Sequence, residues 1–233
     1  LSPSSSLPSN LIETDLSSTT LTLCPSTLGG MFGFKSISMD GRLRLNGAMY
    51  QMDWDDIQLG WFDSSISLLG LVDNIGKAES NGAEIDMKYL LSDTVSVAVG
   101  YSDNSATLKE DYVLRGAVEA RNGQDLPFTP DSKYNITVNV ATSDTSNFQI
   151  NHGFVDEKWN DLFYDDREMQ DSYAITSLSF TTDFGDNGSL QFYIDNLFDE
   201  VAELYINSED IQRLTTVNRP MSFGLKYTWS PNN

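Results

Sequence analysis

Between Ala83 and Ser102 apolar and polar residues alternate with a period of two. Ala83, Ile85, Met87 and Tyr89 are apolar, while Glu84, Asp86 and Lys88 are charged. After Leu90-Leu91-Ser92-Asp93-Thr94 the rhythm returns, with Val95, Val97, Val99 and Tyr101 set against Ser96, Ala98, Gly100 and Ser102. A period of two places these sets on opposite faces of β-strands, and the pair reads as a hairpin with a short turn. Gly76 and Gly82 lack a Cβ, which lets the backbone bend or a neighbouring strand come close. The rhythm recurs at Tyr134, Ile136, Val138 and Val140, at Phe148, Ile150 and Phe154, at 173–180, at Leu190, Phe192 and Ile194, and at 221–229. About nine strands are predicted in all. Within 43–54 the parity slips: Leu43, Leu45 and Met49 share one set, Tyr50, Met52 and Trp54 the other. That slip predicts a bulge, or a strand leaving its apolar surroundings near Tyr50.

Connections alternate in length. Short ones fall at 40–41, 90–94, 141–146 and 183–188, and long ones at 60–71, 103–129, 156–171 and 199–214. Up-and-down antiparallel strands put short turns at one end and long loops at the other, the asymmetry of transmembrane barrels. Strands of about ten residues cross a bilayer at a tilt, and the polar faces suit a wet interior. Tyr89, Tyr101, Tyr134, Tyr227 and Trp229 sit near strand ends, where such rings prefer the headgroup level. The predicted fold is all-β: part of an antiparallel up-and-down transmembrane β-barrel. A soluble sandwich also alternates, but its strands run about 5–6 residues and its loops need not segregate by length. It remains the alternative, an acidic soluble or surface β-sheet binding module without a transport role. Residues 1–30 carry Ser, Thr, Leu and Pro with almost no charge. They read as irregular linker or loop, or as an artefact of a shifted frame or an arbitrary cut.

Composition narrows the function. Lys+Arg 14 against Asp+Glu 34 gives a net charge of -20, which repels phosphate and disfavours nucleic acid as a partner. Cys24 is the one cysteine and His152 the one histidine, so neither a disulfide nor a His- or thiol-based metal centre is expected. His152 lies on the apolar parity between Ile150 and Phe154 and reads as a strand-end or interfacial residue. No Ser, His and Asp constellation can be assembled, so no enzyme is expected; an outer-membrane enzyme would depend on His152. Asp53-Trp54-Asp55-Asp56 and Asp161, Asp165 and Asp166 lack the spacing of a Ca²⁺ loop and read as solvated charge. No catalytic, cofactor-binding or metal residue is therefore assigned. Glu84, Asp86, Lys88, Asn135, Asn139, Gln149, Gln191 and Asp195 occupy the polar faces, where they hydrate the wall and touch whatever fills the interior. No apolar run reaches the length of a membrane helix. Residues 1–4 show no signal peptide, so an export address is expected outside this chain.

Four stretches resemble the barrel of TonB-dependent outer-membrane receptors. They are Gly41-Arg42-Leu43-Arg44-Leu45-Asn46 running on to Asp53-Trp54, and Asn74-Ile75-Gly76-Lys77-Ala78 through Gly82-Ala83-Glu84-Ile85-Asp86. Leu126-Pro127-Phe128-Thr129-Pro130 is the third, and Asp195-Asn196-Leu197-Phe198-Asp199 with Asn218-Arg219-Pro220 and Phe223-Gly224 the fourth. The resemblance implies that residues 31–233 form the C-terminal portion of a barrel of about 22 strands. It further implies a Gram-negative outer membrane, and energy-coupled uptake of scarce nutrients such as ferric siderophores. The implied partners are outer-membrane lipid, an N-terminal barrel half and plug lying outside this chain, the TonB complex acting through that plug, and an extracellular ligand. Without plug and TonB box the fragment would not transport alone. Loops 103–129, 156–171 and 199–214 become candidates for ligand contact, with no residue singled out; their acidity disfavours anionic ligands.

Overall fold

The computed structural model of the protein describes residues 19–26, 29–55, 57–61, 71–114, 116–163, 168–185, 187–207 and 213–230. Its strands are β1 (Thr19–Ser26), β2 (Gly29–Ser38), β3 (Leu43–Trp54), β4 (Gln58–Trp61), β5 (Leu71–Asn74), β6 (Ala78–Leu90), β7 (Val95–Leu108), β8 (Tyr112–Leu114) and β9 (Ala117–Ala120). They continue with β10 (Ser132–Ser143), β11 (Ser146–Val155), β12 (Lys158–Trp159), β13 (Met169–Gln170), β14 (Tyr173–Phe184), β15 (Gly188–Asp195), β16 (Glu203–Asn207), β17 (Leu214–Val217) and β18 (Ser222–Trp229). Ten of them form one antiparallel sheet in the order β1-β2-β3-β6-β7-β10-β11-β14-β15-β18. The remaining eight pair as β4-β5, β8-β9, β12-β13 and β16-β17, one hairpin inside each long excursion. From β2 onward short turns and long loops alternate, as the spacing predicts. At the first short turn Met39, Asp40 and Gly41 all take positive φ, Gly41 at 85°.

The tenth strand corrects one expectation. β1 lies inside the stretch read as linker or loop, yet it pairs with β2 from Thr19↔Ser36 to Ser26↔Gly29. Residue types alternate there, Leu21 and Leu23 with Thr20 and Thr22, and the edge of β2 offers backbone donors and acceptors that a further strand satisfies. Residues 1–18 and 27–28 lie outside the described residues.

Register carries the apolar parity across the sheet. Leu43, Tyr89, Val97, Val138, Ile150, Leu178, Ile194 and Phe223 form one row. Ile85, Tyr101, Tyr134, Phe154 and Ala174 form another, nearer the long loops. These outward side chains are not packed on one another as a dry centre: Met49 is 64% exposed, Phe192 46% and Phe223 76%. Tyr101, Tyr134 and Phe154 make an aromatic belt at the loop end, Tyr134 and Phe154 with ring centroids 5.1 Å apart. Tyr89, Tyr227 and Trp229 lie toward the short turns.

The parity slip in β3 is not a bulge. Pairing runs unbroken from Leu43↔Tyr89 to Trp54↔Ala78, so what changes is the environment. Toward the long loops the outer face turns polar on three adjacent strands, with Gln51, Asn81 and Ser105 in one row and Asp53, Glu79 and Thr107 in the next. The inner face turns apolar at the same height, with Trp54, Ala78 and Leu108 in a row. The outer face thus changes from apolar to polar at this height. Inner-face apolarity marks where the loops fold inward and cover the wall. Ile75, Ala78, Ala106, Leu108, Tyr112, Ala120, Leu126 and Leu162 form the buried cluster there, with Trp54, Ile57, Leu114 and Phe163 packed against it. Burying such apolar surface is worth roughly 25 cal/mol per Å², so this cap holds its hairpins without any contribution from the wall's outer face.

Gly76 and Gly82 each do one of the two things expected of them. Gly76 bends the chain at φ 99°. Gly82 admits close approach: a Cβ there would run into the Asp103 carbonyl and lie 2.7 Å from the Tyr50 hydroxyl. The Tyr50 ring lies over that glycine and its hydroxyl donates to Asn104 Oδ1 at 3.0 Å.

Candidate functional site: inner wall and loop layer

All eight polar-face residues singled out from the sequence fall on the inner face. Glu84 pairs with Ser102, Asp86 with Gly100 and Lys88 with Ala98. Asn135 pairs with Gly153 and Asn139 with Gln149; Gln191 lies beside Thr181, and Asp195 pairs with Ser222. Amide and hydroxyl groups satisfy one another along this face. Asn135 Nδ2 donates to Asn151 Oδ1 at 3.1 Å, and Asn151 Nδ2 to Thr137 Oγ1 at 2.9 Å. Shallow hollows lie along this face: one of about 470 Å³ lies among Glu84, Asp86, Lys133, Asn135, Tyr173 and Ile175. Another, of about 490 Å³, lies among Gln149, Asn151, Gln191 and Asp195.

Above the wall the four loops are joined one to the next. Lys109 N–H donates to the Lys77 carbonyl at 2.8 Å, and Phe128 N–H to the Trp159 carbonyl at 2.8 Å. Asn160 then clasps the backbone of Ile206: its Nδ2 donates to the carbonyl at 2.7 Å, and its Oδ1 accepts from the N–H at 2.8 Å. The same amide donates to Glu168 Oε2 and accepts from Gln170 Nε2. Asn160, Glu168 and Gln170 are all buried, so this polar knot is shielded from competing water. Phe128 holds φ 59°, uncommon for a bulky residue, and its exposed ring stacks on that of Tyr205 at 6.2 Å.

Charge in the loop layer is partly neutralised locally. Lys77 meets Asp55 at 3.2 Å and Lys109 meets Glu79 at 3.0 Å. Arg213 forks onto both oxygens of Glu203 at 2.6 Å, and those hydrogen bonds hold the Glu203 carboxyl below its usual range. Burial, with Asp125, Asp156 and Asp103 nearby, pushes Asp131 up. Burial also pushes the Lys158 ammonium down; it lies 5.5 Å from the centroid of the Tyr173 ring.

Motifs that carried the family resemblance are structural fasteners. Arg42 donates to the carbonyls of Leu90 and Leu91, tying β3 to the neighbouring turn. Asn196, buried, donates to the carbonyls of Glu200 and Arg219 and so closes the base of the last long loop. His152 faces outward beside the aromatic belt, its Nδ1 2.8 Å from Thr176 Oγ1, a wall position with no carboxylate in the pairing. Among the described residues no group of His, Cys, Asp or Glu is arranged to hold a metal; Asp56, Asp165 and Asp166 lie outside them. Sequence reasoning missed the hairpins within the loops, the Asn160 clasp and the Lys158–Tyr173 contact. The alternation of Glu203, Tyr205 and Asn207 was a usable signal for one of them.

An antiparallel sheet with one polar and one apolar face and a knitted loop layer at one end is part of the wall of a β-barrel. The chain matches the family model "TonB dependent receptor-like, beta-barrel" over residues 32–197, and it belongs to that family. Family members are outer-membrane receptors and transporters of Gram-negative bacteria. Solved structures of similar fold include the ferric yersiniabactin uptake receptor FyuA from Yersinia pestis, with 17% identity, a TM-score of 0.68 and coverage of 90% of this chain and 32% of that one. The ferric-catecholate import receptor Fiu from K12 E. coli, closed form, has 20% identity and a TM-score of 0.63, covering 85% of this chain and 26% of that one. The copper transporter OprC has 15% identity and a TM-score of 0.67, covering 86% and 31%. At such identities the likeness shows the fold alone, and the chain spans only 26% to 32% of the length of these three. A comparison with curated proteins found no match.

Proposed function

We propose that residues 31–233 form the C-terminal part of the barrel wall of an outer-membrane receptor that imports a scarce nutrient, such as a ferric siderophore, in a TonB-dependent manner. The remaining wall and the plug lie on polypeptide outside this chain, and the TonB complex acts through that plug. The chain's own part is to face lipid with its apolar rows, to line the passage with its polar rows, and to offer the loop layer to ligand. It performs no covalent chemistry. One observation carries this reading: register aligns the apolar parity of eight neighbouring strands, β3 to β18, into continuous outward rows. The test is expression of the whole gene product. It is expected in the outer-membrane fraction, migrating differently on gels before and after heating, and supporting TonB-dependent growth on a chelated metal. Recovery as a soluble monomer without detergent would instead favour a binding module.

A further inference from the structure

We propose that the peptide between Pro127 and Phe128 is a two-state latch that joins or parts the loop layer. The latch is a property of the fold; only its use as an entry for a ligand rests on the receptor reading. In the closed state Phe128 N–H donates to the Trp159 carbonyl at 2.8 Å. The Phe128 ring stacks on Tyr205, with centroids 6.2 Å apart and planes 16° from parallel. One residue thus ties the excursion before β10 both to β12 and to β16.

The local sequence makes Phe128 the residue that can move. In Leu126-Pro127-Phe128-Thr129-Pro130 each proline fixes its own φ and pushes the residue before it toward extended conformations. Leu126 and Thr129 are restricted in this way, and Phe128 keeps a free choice. The chain is anchored on both sides of it. Leu126 is buried in the cap and its N–H donates to the Ala106 carbonyl at 2.8 Å, while Ser132 opens β10 in register with Asp103. Pro127 and Phe128 are the central pair of a turn, with Phe128 at φ 59°. A left-handed second position is the type II arrangement, where Gly or Asn is normal. Asn196 and Asp199 also hold positive φ, but those residue types adopt it readily. Phe128 does not.

Proline at the first central position suits a type I turn equally well. Flipping the Pro127–Phe128 peptide converts one turn into the other, carrying Phe128 to a negative φ and swinging its N–H to the opposite side. That flip relieves strain and, in the same movement, breaks the bond to Trp159 and turns the ring away from Tyr205. What opposes it is one hydrogen bond and one stacked pair, whose rings are 48% and 49% exposed. Together these are comparable with the strain of a bulky left-handed residue. The two states therefore lie close in free energy, and whatever takes Tyr205 from Phe128 tips the balance toward the open one.

The experiment is amide hydrogen exchange of the folded full-length protein, resolved to single residues and taken relative to the unprotected rate. Tyr205→Ala is expected to lower protection of the Phe128 N–H about two- to tenfold, and Phe128→Ala to lower it at the same position by a similar factor. Phe128→Gly lacks the ring too but meets no left-handed strain. Its residue-128 N–H should therefore be about three- to tenfold better protected than in Phe128→Ala. Phe184→Ala, at a short turn on the far end of the sheet, is expected to change nothing, and β10 and β11 should exchange as in the wild type throughout. Equal protection in the Phe128→Ala and Phe128→Gly proteins overturns the proposal, because no strain is then stored. So does wild-type protection in Tyr205→Ala, an unprotected Phe128 N–H in the wild type, an equal loss in Phe184→Ala, or a loss that spreads through β10 and β11. Absence of membrane insertion is a separate failure, which sinks the receptor reading and leaves the exchange result standing.

Discussion

The switch of face at the loop end of β3, β6 and β7 makes a checkerboard of expected costs for a single introduced lysine. Val99 and Ser105 share the outer face of β7, and Ser96 and Leu108 share its inner face. Six residues at about 3.3 Å each separate Val99 from Ser105, which at a tilt near 45° is about 14 Å of depth. Val99→Lys places an ammonium among acyl chains, at a cost of about 2–4 kcal/mol near the midplane; Ser105→Lys, above the boundary, costs about 0–1 kcal/mol. On the inner face the order reverses. Leu108 is fully buried, so Leu108→Lys loses its packing and strands a charge, at about 3–5 kcal/mol, while Ser96→Lys in the wet interior is close to neutral. The assay is the folded fraction of the full-length protein in bilayers across a urea series, read by heat-modifiable migration, with hydrogen exchange locating the loosened region. Val99→Lys is expected to lower the midpoint for the whole barrel, and Leu108→Lys to release the loop layer first. If Ser105→Lys proves as damaging as Val99→Lys, the boundary drawn between them does not exist.

Three further outcomes follow from the same geometry. Gly82→Ala is expected to cost about 1–3 kcal/mol with no rescue by Tyr50→Ala, because the Asp103 carbonyl also blocks the new methyl; at Gly224 the nearest obstructing atoms all belong to the Tyr193 side chain, so Tyr193→Ala should rescue Gly224→Ala in a double-mutant cycle. Asn160→Ala leaves the Ile206 N–H and carbonyl unpaired in a buried setting, at about 2–4 kcal/mol, and should raise exchange in β16 while sparing β10 and β11; unchanged exchange there would remove Asn160 as the clasp. Because the Arg213 hydrogen bonds depress the Glu203 carboxyl below its ordinary 4.5, the ion pair's support for the β16–β17 hairpin is complete above about that pH and fades as pH falls through the lower folded value. Protection from exchange in that hairpin, taken relative to the unprotected amide rate at each pH, should fall on acidification in the wild type, and Glu203→Gln should show the reduced protection already at neutral pH.

The wall was legible because one apolar and one polar face impose a period of two over strands of 8 to 14 residues. Eight polar-face residues could be placed on one side before any coordinates, and register put every one of them there. What lies above the wall was not legible by that rule. β12 and β13 are two residues each, too short to show any period. The buried cluster gathers Leu108, Tyr112, Ala120, Leu126 and Leu162 out of segments rich in charge, where each looks like an isolated apolar residue in a polar loop. The Asn160–Ile206 clasp spans 46 positions, and nothing local announces it. One signal did reach across: the slip of apolar parity at Tyr50. Period-two reasoning assigns each strand one greasy face, so the slip looked like a fault in the strand. In fact the strand is regular and its two faces change character, the outer from apolar to polar and the inner from polar to packed loop. A change of parity without a change of register therefore locates a boundary in the solvent. That explains why the buried cluster, the Asn160 clasp and the part-buried Lys158 collect at one end of the sheet.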